Sequence, residues 1–155
     1  MTKYAPSLPA IPKRYDYKAN KGKMFGPVQL PFEHGPTCVK EIERVPFCHW
    51  YVPRIDDYGL ACRIGMEYAA HFVQYLKDDP AAVPNNILGH IVRDIDFDDD
   101  SAAAGYWAGF FTELSRYLLK GAKRIDVFAE LDKQIAKEER ARADLDAEHE
   151  PETKG

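Results

Sequence analysis

The sequence predicts a mainly α-helical protein of α+β character: a small N-terminal β-hairpin or extended arm, followed by a four-helix bundle-like body. Three observations predict it. Prolines recur every few residues as far as Pro53, yet after the pair Pro80 and Pro84 none appears until Pro151. Proline lacks an amide hydrogen and clashes with the preceding helical turn, so only the later part of the chain can hold long helices. That later part carries apolar residues at helical spacing, and between these runs lie Asp, Asn, Ser and Gly, the residues that start and stop helices.

Residues 1–22 read as an extended basic and aromatic arm, because Pro6, Pro9 and Pro12 repeat with the three-residue period of polyproline II. Residues 23–136 read as one globular domain, with short strands over 23–55 and helices over about 57–136. The segment Phe47–Val52 is aromatic and β-branched and is bounded by Pro46 and Pro53, which suits an edge strand. The first helix opens at Asp56 or Asp57 and places Leu60, Ile64, Tyr68, Phe72, Tyr75 and Leu76 on one side, until Asp78-Asp79-Pro80 stops it. The second is capped by Asn85 or Asn86 and buries Ile87, Leu88, Ile91, Val92 and Ile95. The third follows Ser101, with Trp107, Phe110, Phe111, Leu114, Tyr117 and Leu118 as its stripe and Gly121 in the left-handed position past its end. The fourth runs from about Lys123 and turns Ile125, Phe128, Leu131 and Ile135 inward. Residues 137–155 form a charged C-terminal tail in which the apolar pattern fades.

Small residues fall one turn apart at Ala61, Gly65 and Ala69, and again at Ser101, Gly105 and Gly109. A glycine inside a helix costs about 1 kcal/mol relative to alanine. Paired glycines therefore imply a packing reason, and the first and third helices are expected to cross along these stripes.

The chain has 155 residues, a net charge of -4 and three cysteines. Its charge gives no uniform attraction to nucleic acid. An odd number of cysteines does not suit a secreted disulfide scaffold, so reduced thiols and a cytoplasmic location are the expectation. No uncharged apolar run reaches the roughly 20 residues that a membrane-spanning helix needs, and no membrane association is expected. Charge is unevenly spread: the arm holds Lys3, Lys13, Arg14, Lys18, Lys21 and Lys23 against Asp16, whereas Asp94, Asp96, Asp98, Asp99 and Asp100 form an acidic run.

That run fails as a calcium loop. A loop starting at Asp94 needs glycine at its sixth position and a bidentate acid at its twelfth, and the chain has Asp99 and Gly105 there. Its aspartates suit the start of the third helix, where backbone amides and the helix dipole favour negative charge. His34, Cys38, Cys48 and His49 come nearest to a zinc set, but their spacing is not a usual one, and Cys48 and His49 point to opposite faces of a strand. The sequence thus implies no metal and no cofactor. Phosphate-binding loops, dinucleotide fingerprints, zinc-protease helices and nucleophile elbows are all absent from it.

The functional expectation is a non-catalytic protein-interaction module, an adaptor or inhibitor-type accessory protein with a protein partner. Its binding residues would be Asp94, Asp96, Asp98, Asp99 and Asp100, together with Lys13, Arg14, Tyr15, Tyr17 and Lys18 of the arm. The alternative is a nucleic-acid binder, since cations and rings interleave in the arm as they do in single-strand binders. An enzyme or zinc site built on the Cys/His residues carries the least weight. A homodimer is a further partner expectation, because Tyr106, Trp107, Phe110 and Phe111 exceed what a small bundle needs to bury.

Overall fold

The computed structural model describes residues 4–14, 30–34 and 47–149. Among them the chain is mainly helical, with α1 (Tyr58–Asp78), α2 (Ile87–Asp94), α3 (Ala104–Ala122) and α4 (Val127–Glu148), and a 3-10 turn at Pro80–Ala82. Two compact units divide the chain, Met1–Tyr117 and Leu118–Gly155.

α1 begins where Asp57 Oδ1 accepts a 3.0 Å hydrogen bond from the Leu60 amide, satisfying one of the free donors of the first turn. It ends where the Asp79 amide reaches back to the Tyr75 carbonyl and Pro80 follows. Its buried side carries Ala61, Ile64, Gly65, Tyr68, Ala69 and Phe72, and also Glu67 and His71. Leu60 is exposed, at the edge of that arc.

α2 starts at Asn86, which sits in the left-handed region with φ 54 and makes no side-chain cap. Ile91 is the buried residue of this helix, while Leu88 and Val92 face solvent. Ile95, just past its end, is buried as well.

α3 packs against α1 along the small-residue stripes. A Cβ on Gly65 would lie 2.0 Å from the Tyr106 carbonyl oxygen, and one on Gly109 would lie 2.0 Å from that of Cys62. A Cβ on Gly105 would meet the Tyr58 carbonyl at 2.6 Å. The two backbones touch, and only glycine permits that approach. Ser101 precedes the helix and is not part of the crossing; its hydroxyl accepts from the Ala103 amide at 3.2 Å. Gly121 lies inside α3, with open space around it, instead of past the helix end.

The segments preceding α1 complete the core. Leu30, Phe32, Trp50, Val52 and Ile55 are buried with Tyr68, Phe72, Tyr106 and Phe110 in one cluster. Phe32 stands 5.1 Å from both Trp50 and Tyr68 and 5.8 Å from Phe110, centroid to centroid. Tilted and edge-to-face contacts of this kind add to the area that the rings bury. His34 and Cys48 exchange backbone hydrogen bonds of 2.8 and 2.9 Å as an isolated antiparallel bridge. Among the described residues this pairing extends into no sheet, and the turn of the expected hairpin lies outside them.

The expectation for the fourth helix is overturned. α4 has no buried residue, and Ile125, Phe128, Leu131 and Ile135 are exposed. The core of the first unit is completed instead by Leu30, Phe32, Trp50, Val52 and Ile55, all ahead of α1. Nor does helix end at Ala136: α4 is capped by Asp126, whose Oδ1 accepts from the Ala129 amide at 3.0 Å, and it continues through the charged stretch to Glu148.

Candidate functional site

The described part of the arm lies on its own body. The Tyr4 phenol donates to Asp99, and the Arg54 guanidinium sits 5.1 Å above the Tyr4 ring. The Ala5 amide donates to the Val52 carbonyl at 2.9 Å. Farther along, Arg14 grips Glu67 on α1 through Nη2–Oε1 at 2.7 Å and Nε–Oε2 at 3.2 Å. Arg63 reaches the same carboxylate at 3.0 Å. Hydrogen bonding from Arg14 outweighs burial and holds the Glu67 carboxyl down at about 2, so this largely buried acid stays charged. Arg14 is thus spent on an internal ion pair, Lys13 is exposed, and Tyr15, Tyr17 and Lys18 lie outside the described residues.

Asp94, Asp96 and Asp99 of the acidic run are engaged within the protein. Asp94 Oδ2 accepts from the His49 amide at 2.8 Å and lies 3.2 Å from His49 Nδ1, while Oδ1 accepts from Arg93 at 3.1 Å. Asp96 accepts from the Asp98 amide at 3.0 Å, and Asp99 from the Ser101 amide at 2.9 Å. Asp98 and Asp100 are exposed. The Asp96 and Asp99 bonds build the turn that leads into α3, as short acidic side chains do when they accept from nearby amides, whereas Asp94 ties the end of α2 to His49.

Cys48 and His49 diverge as strand geometry requires. Cys48 Sγ donates to the Trp50 carbonyl at 3.3 Å, and burial raises its thiol above the ordinary value, which keeps it protonated. His49 turns to Asp94 and stacks on His90 at 5.0 Å. Burial lowers the His49 imidazole despite that carboxylate. His34 packs beside Tyr51 at 4.9 Å. Cys38 lies outside the described residues. Among the described residues no three His, Cys, Asp or Glu side chains are placed to hold a metal ion. None of their helices is long and apolar enough to cross a membrane.

Tyr106 and Phe110 are fully buried, and Trp107 and Phe111 pack against the core cluster. Among the described residues, a regularly spaced run of uncovered apolar side chains lies in the second unit. Phe128 is 76% exposed, Leu131 51%, Ile135 43% and Leu145 58%. Spaced three and four residues apart, with Glu138 and Arg142 interrupting, they form a narrow seam along α4. Asp132, Glu139 and Asp146 follow at every seventh residue along one border of it, which makes that border acidic. A narrow seam of this kind suits helix pairing or a groove, whereas a helix on a globular core shows a wider stripe. That width is the signal in the sequence that separates α4 from α1 and α3.

No known protein family matches the chain, and no curated protein or solved structure is significantly similar to it.

Proposed function

We propose that this chain is a non-catalytic interaction protein that presents the apolar seam of α4 to a groove on another protein. The supporting observation is the exposure of Phe128, Leu131, Ile135 and Leu145 on a helix that buries nothing. Amphipathic helices commonly bind by laying such anchors into an apolar groove, and contiguous apolar surface of this kind marks interaction sites. The acidic border of Asp132, Glu139 and Asp146 favours a groove with a basic rim on one side. A second copy suits the seam poorly. An antiparallel pair would set the acidic borders against each other, and a parallel pair would face Glu138 with Glu138 and Arg142 with Arg142.

The test uses the full chain with a photo-crosslinking amino acid at Leu131, in extracts of its source cells. A heterologous adduct, mapped to an apolar groove flanked by Lys or Arg, is expected. It should be lost in Phe128→Asp and weakened when Asp132, Glu139 and Asp146 become Lys, with far-UV circular dichroism unchanged. Self-adducts alone, or adducts indifferent to Phe128→Asp, refute the proposal.

A further inference from the structure

A cleft of about 490 Å3 opens between the proline-rich arm and the segments 31–34 and 51–53, within the range of small-molecule sites. Pro6, Pro31 and Pro53 supply apolar walls, and Tyr51 and Tyr68 supply rings. Among the described residues one carboxyl group enters this lining, that of Glu33. Glu33 Oε2 accepts a single long bond, 3.3 Å, from the Leu30 amide. Among the described residues no ion pair reaches it, in contrast to Glu67, which holds two arginines.

A half-buried carboxyl with no cation is an expensive group to keep in an apolar lining. Burial pushes the Glu33 carboxyl up to about 7. A cation entering the cleft would restore the charged form, and the tyrosine faces would add to its attraction. The prolines would cover an apolar body attached to it. An anionic ligand would meet the carboxylate and be repelled.

We propose that the cleft between arm and body binds a small organic ammonium ion carrying an apolar group, with Glu33 as its counter-ion. The site is separate from the α4 seam. Among the described residues, the other titratable groups nearby are His34, Tyr51 and Tyr68 in the lining, with Tyr75 and Asp79 close to Glu33. Burial raises Tyr68 and Tyr75, so both phenols stay neutral at physiological pH.

The experiment titrates the 15N-labelled full chain with phenethylammonium, and in parallel with neutral phenethyl alcohol and with phenylacetate, at pH 6 and pH 8. Saturable amide shifts are expected over 5–12, 30–34 and 51–53 for the ammonium ion alone. Its affinity should be roughly tenfold tighter at pH 8 than at pH 6, because Glu33 must lose its proton to bind. Glu33→Gln should abolish both binding and pH dependence, whereas His34→Gln should preserve them. Calorimetry of the unmodified chain in two buffers near pH 6.5 should report proton release on binding, which keeps the test independent of any variant's folding. Absence of saturable shifts at pH 8, equal binding of the alcohol, or binding unchanged in Glu33→Gln overturns the proposal.

Discussion

Gly109→Ala tests the helix crossing most directly. The added Cβ would stand 2.0 Å from the Cys62 carbonyl oxygen, 2.8 Å from its carbon and 2.9 Å from its Cα, all backbone atoms, whereas ordinary contact begins at 3.4 Å. No rotamer change relieves this clash, so α1 and α3 must separate by more than an ångström at the crossing. Overpacking typically costs about 1–3 kcal/mol, and a rigid backbone neighbour puts this site at the upper end. Alanine's better helix propensity returns about 1 kcal/mol. The expected net loss is about 2 kcal/mol, or roughly 4–8 °C in the melting temperature. Gly121→Ala is the internal control. It lies in the same helix with nothing within 4 Å of its Cβ, so only the propensity gain of roughly 0.5–1 kcal/mol remains. The assay is thermal and urea denaturation followed by tryptophan fluorescence, since Trp50 lies in the core that the crossing supports. Equal stability of Gly109→Ala and the parent chain would refute backbone contact between the two helices.

Tyr106→Phe should stabilise the protein by about 1 kcal/mol in the same denaturation assay, because the buried Tyr106 hydroxyl has no hydrogen-bond partner among the described residues. Glu33 holds its proton more tightly when folded, so its contribution to stability falls as pH rises from about 4.5 to about 7 and changes no further above that. Glu33→Gln should remove this decline and raise stability at pH 8 by at most about 3 kcal/mol, read from melting temperatures at pH 4.5 and pH 8. Glu67 has the opposite sign: its depressed carboxyl gives stability that is complete above about 4.5 and lost as pH falls toward about 2. Arg14→Ala should therefore move acid unfolding to higher pH and speed proteolysis of the arm after Lys13, measured by acid titration and limited digestion.

The helices were legible because their signals are local. Asp57 caps α1, one of the two positions expected, and Pro80 stops α1; α4 starts at the Asp126 cap, a few residues after the expected Lys123. The crossing of α1 and α3 was legible too, since Gly65, Gly105 and Gly109 have little other reason to sit inside helices. The direction in which α4 faces was not, because its seam resembles a core stripe when partners are unknown. The point at which the arm attaches was equally hidden. Arg14 and Glu67 are separated by 53 positions, and charge sign alone does not say which acid a base will meet. Glu33 gave no sequence signal at all, being one glutamate among many.

Proline placement, helical periodicity and cap residues determined by themselves where helices form, because each acts within a few residues of backbone. Only the tertiary structure decided which apolar surfaces are covered. Phe32 and Trp50 are buried in the core of the first unit, whereas Phe128 in the second is exposed, and neither outcome follows from residues adjacent in the chain. The same packing left Glu33 beside a cleft and Glu67 beneath two arginines, so of two chemically identical side chains one has its carboxyl raised to about 7 and the other lowered to about 2.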